Sequence, residues 1–103
     1  MLVEAAIAFC VTNTSDQAVV GRVRDRDPAA ARPALDKVAP GQTGCVSFPA
    51  GLMMPMLHLS LDGASAETTC QTARMFRAGD KVSFTYGRAP SGLGHCYATE
   101  VTR

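Results

Sequence analysis

The chain has 103 residues, enough for one folded domain, and its 47% hydrophobic and 18% charged residues are typical of a globular protein rather than a disordered one. Its formal net charge of +1 excludes the strong overall field that draws a protein to nucleic acid or to an anionic membrane surface. No apolar run approaches the roughly 20 residues that cross a bilayer, so we predict one domain over residues 1–103 without a transmembrane segment.

The first predicted strand covers residues 3–12, where apolar side chains alternate with Glu4, Cys10 and Thr12. The start of the chain lacks the basic region and the uninterrupted apolar core of a signal peptide, so we expect that a natural leader has been removed. The sequence NTSD at residues 13–16 predicts a turn, because Asn, Ser and Asp side chains hydrogen-bond to their own backbone. A second strand follows, with arginine at every second position from 22 to 26.

The middle of the chain contains an interruption, a turn and two further strands. The segment DPAAARPALD, residues 27–36, contains two prolines and has room for one helical turn at most. Pro40 and Gly41 fit the central positions of a type II turn, and the strand TGCVSF at residues 43–48 follows them. In MLHLSLD, residues 56–62, leucines alternate with Met, His and Ser, which predicts a strand whose leucines face the core.

The C-terminal part also reads as strands. The segments TTCQTARMF (68–76) and KVSFTY (81–86) flank RAGD (77–80), which is typical of a hairpin, and HCYATEV (95–101) forms the last strand. About seven short strands separated by turns, with no helical segment long enough to cover a sheet, predict an all-β protein. The second layer must then be another sheet, so we predict one antiparallel β-sandwich.

The four cysteines lie 25 or more residues apart and form no C-x-x-C motif, so zinc-ribbon, thioredoxin-type and c-type haem sites lack their local signature. An even number of widely spaced cysteines in a small domain is typical of a disulfide framework. The alternative is four reduced thiols in a cytosolic protein. We predict two disulfides, and therefore a periplasmic or secreted protein, from Cys10, Cys45, Cys70 and Cys96.

The segments FCVTNTSDQAVVGRVRD and VAPGQTGCVSFP combine an apolar strand, an Asn-rich turn, a second strand, a loop, a Pro-Gly turn and another apolar strand. In this order of elements, residues 3–48 resemble bacterial immunoglobulin-like domains of the CARDB type. The resemblance implies an immunoglobulin-like β-sandwich in which Phe9–Thr12 and Thr43–Phe48 are neighbouring strands of one sheet. Such domains share a fold but have unrelated functions, so no function is implied.

The same resemblance implies a disulfide connectivity. Neighbouring strands would allow a bridge between Cys10 and Cys45 on the outer face of the sheet, without disturbing the interior. The second bridge implied in this way joins Cys70 to Cys96. The other two connectivities of four cysteines stay open.

A soft-metal site is one candidate for function. Thioether and imidazole groups suit Cu(I), and alternation places Met56 and His58 on the same face of their strand. His95 would complete the site only if folding brings it near. The alternative is that the methionines fill the irregular end of the core and that His58 is an ordinary exposed residue. The predicted ligands are Met54, Met56, His58 and His95.

The row Arg22, Arg24 and Arg26 is the second candidate, because guanidinium groups on one face suit an acidic envelope polymer or the carboxylates of a protein partner. Edge strands also carry charges that prevent aggregation. The alternative is therefore a solvated face whose charge is balanced by nearby acids, namely Asp25, Asp27 and Glu100.

Neither histidine lies in a hydrolase or metalloprotease motif, and the acidic residues are scattered over turns and outer faces. We therefore predict a non-enzymatic binding module without a resident cofactor. It would recognise a protein or an anionic polymer, and not nucleic acid, through a sheet face or an edge strand that would also allow homo-oligomers. A periplasmic Cu(I)-binding protein is the alternative, and a small hydrolase or transferase ranks last.

Overall fold

The computed structural model describes residues 6–24, 34–49, 55–63, 67–70 and 76–102, and every regular element in this part of the chain is a β-strand. The eight strands are β1 (Ala6–Asn13), β2 (Val19–Arg24), β3 (Ala34–Val38), β4 (Thr43–Pro49), β5 (Met56–Leu61), β6 (Thr68–Cys70), β7 (Lys81–Arg88) and β8 (Gly94–Thr102). Among these residues, no helix is long and apolar enough to cross a membrane.

The strands form two four-stranded sheets. Sheet A has the order β4-β1-β7-β8, and sheet B has the order β3-β2-β5-β6. All neighbouring strands are antiparallel except β1 and β7, which run parallel. The apolar faces of both sheets enclose one core, so the predicted all-β sandwich is confirmed.

Strand β3 falls in the segment that the prolines interrupt, and it was not predicted. Leu35 and Val38 are both buried, although strict alternation would place them on opposite faces of the strand. A shift of register between β2 and β3, typical of a β-bulge, allows both side chains to face the core. The predicted helical turn in DPAAARPALD lies outside the described residues.

The RAGD sequence is not the turn of a hairpin in the described part of the chain. Strand β6 belongs to sheet B and β7 to sheet A, so the turn leads from one sheet to the other. The backbone N–H of Gly79 donates to the carbonyl of Ala6 at 2.9 Å, and the N–H of Ala8 donates to the carbonyl of Asp80 at 2.9 Å. The hairpin prediction was wrong because turn residues indicate a reversal of the chain, not which strands pair.

Phe9 lies at the centre of the core and is 1% exposed. Its ring makes edge-to-face contacts with Phe48, Phe76 and Phe84, at centroid distances of 4.7, 5.2 and 5.2 Å. Such contacts add to the stabilisation that burial of the rings provides. Valines and leucines of β2 and β5 cover this aromatic group from the opposite sheet.

Asn13 explains why the NTSD sequence turns where it does. The side chain is 0% exposed, and its amide nitrogen donates to the carbonyls of Gln17 and Val38 at 2.8 and 3.0 Å. Its amide oxygen accepts from the backbone N–H of Ser15 at 2.9 Å and from the Ser15 hydroxyl at 2.6 Å. One buried amide therefore closes the turn after β1 and also ties it to β3.

Both disulfides have the connectivity that the resemblance implied. Cys10 and Cys45 are directly opposed on β1 and β4, with 4.0 Å between their Cα atoms. Cys70 and Cys96 join β6 of sheet B to β8 of sheet A, with 5.4 Å between their Cα atoms. The first bridge therefore fastens neighbours within a sheet, and the second closes one edge of the sandwich.

Candidate functional site

The outer face of sheet B brings together the two groups of side chains that the sequence singled out. Arg22 and Arg24 project outward from β2, since the valines that alternate with them are buried. The pairing of β2 with β5 places Arg22 opposite His58 and Arg24 opposite Met56. We refer to this surface as the basic face; it consists of Arg22, Arg24, Met56, His58, Glu67 and Thr69.

Glu67, just before β6, neutralises part of the basic face. Its Oε1 lies 3.1 Å from Nη2 of Arg24, and its Oε2 lies 3.4 Å from Nδ1 of His58. The hydroxyl of Thr69 also lies 3.4 Å from Nδ1 of His58. Because the Arg24 and Glu67 side chains are 42% and 40% exposed, water screens their ion pair, and it contributes only about 0–1 kcal/mol to stability.

Arg22 differs from Arg24 in having no hydrogen-bond or ion-pair partner in the part of the chain that the structure describes. Its side chain is exposed, and its backbone lies directly opposite His58. The guanidinium therefore presents its fork of N–H donors to solvent, beside a cluster that already attracts one carboxylate. Carboxylate, phosphate and sulfate groups fit such a fork with two parallel hydrogen bonds.

Of the predicted copper ligands that the structure describes, only Met56 and His58 lie on one face. Met56 and His58 lie on the basic face, whereas His95 is an exposed residue of β8, in the other sheet. There its ring stacks on Tyr97, at a centroid distance of 5.8 Å. Met54 lies outside the described residues, among which no group of three His, Cys, Asp or Glu side chains could hold a metal. The copper site stays a prediction that depends on Met56 and His58.

Four other residues of the arginine hypothesis have no place on the described part of the basic face. Arg26 and the proposed balancing acids Asp25 and Asp27 lie outside the described residues. Glu100 belongs to β8 in sheet A. The carboxylate that contacts the row is Glu67, which the sequence analysis missed because only the pairing of β5 with β6 brings it there.

A shallow depression of about 220 Å³ lies where β1 and β4 meet, at the opposite end from the Asn13 turn. The described residues of its lining include no ionisable side chain, so they offer no group for acid–base chemistry. The lining residues are Ala6, Ser47, Phe48 and Pro49.

Comparisons of the chain with protein-family models, with curated proteins and with solved structures found no match. The resemblance of residues 3–48 to CARDB-type domains therefore stays a prediction. The sandwich, its two disulfides and the basic face define the molecule as a disulfide-bonded β-sandwich with one cationic sheet face.

Proposed function

We propose that the chain is a non-enzymatic, extracytoplasmic binding module whose basic face binds an anionic group of a protein partner or of an envelope polymer. The observation that carries the proposal is the exposed side chain of Arg22, which no described carboxylate neutralises, next to Arg24 and His58 on one sheet face. These side chains start from the central pair of strands of sheet B, so their backbone positions are fixed before a ligand arrives. A fixed backbone reduces the entropy that binding would otherwise cost.

The disulfides support a periplasmic or secreted location. Disulfides persist in oxidising compartments and are rare in the reducing cytosol. Both bridges add covalent links to a domain whose core is small. A binding module outside the cytosol would meet acidic polysaccharides, phosphate-bearing lipid headgroups and the carboxylates of other proteins as its anionic partners.

On binding, the anionic group of the ligand would replace the Glu67 carboxylate as the partner of Arg24. An incoming anion takes two hydrogen bonds from Arg22 and lies close to the Arg24–Glu67 ion pair. Since this pair is solvent-exposed and weak, Arg24 can turn from Glu67 to the ligand at little cost. Glu67 then acts as an internal competitor that keeps weakly anionic groups from binding.

The test compares Arg22→Gln with a control that removes the same charge elsewhere. The control is Lys81→Gln, an exposed residue at the start of β7 in sheet A. On a heparin column, we expect Arg22→Gln to elute at a clearly lower salt concentration than the control. A charge-assisted hydrogen bond contributes enough that its loss weakens binding about ten-fold. Equal elution of both variants would contradict a specific role for the basic face.

A second experiment identifies the kind of partner. The oxidised wild-type chain and Arg22→Gln are immobilised side by side and exposed to the same envelope extract. We expect the wild type to retain a protein or a polysaccharide that Arg22→Gln releases at moderate salt. Identical retention by the two would contradict recognition through Arg22.

A further inference from the structure

The described strands include four edge strands, and β3 carries evident protection against strand addition. Strand β3 has an irregular register with β2 and the exposed charges of Asp36 and Lys37. Irregular pairing and exposed charge are features by which proteins keep an edge from pairing with another strand. Strand β6 lies beside the edge of β8, to which the Cys70–Cys96 disulfide joins it.

The edge of β8 is protected in a different way. Its first carbonyl, that of Gly94, accepts a hydrogen bond from the Thr68 hydroxyl at 3.1 Å. The disulfide from Cys70 to Cys96 also fastens β6 beside it. A register shift relative to β7, between Ser83 and Phe84, further breaks the regular edge.

Strand β4 has none of these features. It has seven residues, no charged side chain, and an unbroken register with β1 from Thr43 to Pro49. Proline, which lacks an N–H, occurs only at its last position. None of the described residues hydrogen-bonds to the outer edge of β4, and Thr43, Cys45 and Ser47 are exposed.

The disulfide shows which backbone groups line this edge. In antiparallel pairs, directly opposed residues alternate between hydrogen-bonded pairs about 5.5 Å apart and non-bonded pairs about 4.5 Å apart, measured between Cα atoms. The 4.0 Å between Cys10 and Cys45 therefore marks a non-bonded pair. At this position and at every second residue of β4, the N–H and the carbonyl point away from β1. These residues are Thr43, Cys45 and Ser47.

We propose that two copies of the chain pair through β4, antiparallel and about a two-fold axis at Cys45. In this register Thr43 of one copy lies opposite Ser47 of the other, and Cys45 lies opposite Cys45. The outward groups of the two strands then form about six backbone hydrogen bonds. The two copies of sheet A become one continuous sheet of eight strands.

A second copy fits this edge for two reasons. The edge is self-complementary, because the hydroxyl side chains of Thr43 and Ser47 flank Cys45 symmetrically. Strand β4 has no charged side chain, so pairing does not place a charge opposite the same charge of the second copy. The net charge of the chain is +1, so two copies repel each other weakly. The basic face is on sheet B and stays accessible in the dimer.

Sedimentation equilibrium and hydrogen exchange of the oxidised wild-type chain test the proposal. We expect a species of twice the 10.8 kDa monomer mass that dissociates on dilution. The amides of Thr43, Cys45 and Ser47 should exchange slowly in the dimer and rapidly after dilution, while those of Gly44 and Val46 stay protected by β1 in both. A monomer at every concentration, or exchange that does not depend on concentration, overturns the proposal.

Charged variants test the edge and its register. The double variant Thr43→Lys/Ser47→Lys places lysines opposite lysines, and we expect dimerisation at least about ten-fold weaker. Mixing it with Thr43→Glu/Ser47→Glu should restore a heterodimer. The control Gln17→Lys/Ser91→Lys adds the same charge at exposed turns and should still dimerise.

Two results would overturn β4 pairing even if the wild type dimerises. One is a lysine variant that dimerises as tightly as the control. The other is a mixture of the lysine and glutamate variants that forms no heterodimer. This result counts when each variant unfolds at the same urea concentration as the wild type, which shows that both are folded. A monomer that instead protects the β4 amides only when a foreign extended peptide is added would assign the edge to a different partner.

Discussion

Arg22 and His58 are directly opposed across β2 and β5, yet among the described residues only His58 has a carboxylate neighbour, Glu67 at 3.4 Å. Within this part of the chain, Arg22 has no carboxylate partner, while Arg24 shares Glu67 with the imidazole. The side chain of Glu67 thus already occupies part of the basic face. Its affinity for anions should depend on Glu67 as much as on the arginines.

We expect Glu67→Gln to strengthen binding to polyanions. The substitution keeps the shape of the side chain but removes the charge that holds Arg24 at 3.1 Å, so both arginines become available to a ligand. Elution from a heparin column should move to higher salt. Asp16→Asn, which removes a charge from the exposed turn between β1 and β2, should have a smaller effect. Weaker retention of Glu67→Gln than of the wild type would mean that Glu67 itself contacts the ligand.

Loss of the Cys70–Cys96 bridge should destabilise the sandwich. In the chain-entropy model, a closed loop with a separation of 26 residues stabilises by about 3.5 kcal/mol, which is a large part of a small domain's total stability. We expect urea unfolding of Cys70→Ala/Cys96→Ala to show a loss of this size. The loss for Cys10→Ala/Cys45→Ala, with a separation of 35, should be similar. Hydrogen exchange distinguishes the two variants, because only Cys70→Ala/Cys96→Ala should open the edge of the sandwich where β6 lies beside β8.

Replacement of Asn13 by Ala should cost about 2–3 kcal/mol of unfolding free energy, since it removes four side-chain hydrogen bonds, three of which are buried. Thr12→Ala is the matched control, because Thr12 precedes Asn13 on the outer face and its hydroxyl makes an exposed hydrogen bond with that of Thr43. We expect the control to stay within about 0.5 kcal/mol of the wild type. Urea denaturation followed by circular dichroism measures both, and equal losses would contradict the structural role of the amide.

Stability should fall at alkaline pH through Tyr86. Burial raises the pKa of its hydroxyl above 10.0, although the nearby charge of Arg88 acts in the opposite direction. Because the folded state holds this proton more tightly than the unfolded state, the stabilisation is complete below pH 10 and is lost as the pH rises through the raised pKa. The hydrogen bond from Lys37 to Asp62 raises the pKa of Lys37. This raised pKa also makes the stability of the fold decrease as the pH rises.

Tyr86→Phe isolates this contribution. The difference between the urea midpoints of the variant and the wild type should stay constant near neutral pH, and the wild-type midpoint should fall relative to that of the variant above about pH 10. The control Tyr97→Phe changes an exposed phenol of sheet A, and its midpoint should keep a constant offset from the wild type. An unchanged difference between Tyr86→Phe and the wild type across this range would show that Tyr86 titrates equally in both states.

Much of the secondary structure could be predicted from local pattern. In β5, leucines alternate with Met56, His58 and Ser60, and the structure buries Leu57 and Leu59 as the alternation requires. Strand β3 could not be predicted in this way, because a β-bulge breaks the alternation of buried and exposed side chains along it. The RAGD turn was misread because a turn sequence does not record whether the next strand stays in the same sheet.

The sequence alone determined that the chain is all-β and that Arg22, Arg24, Met56 and His58 lie on outer faces, because a strand turns successive side chains to opposite sides. Only the tertiary structure decided that β2 and β5 are neighbours, that Glu67 contacts both of them and that His95 lies on the other sheet. Pairing between distant strands is selected by how well the two sheets enclose one core, and no local pattern contains that information.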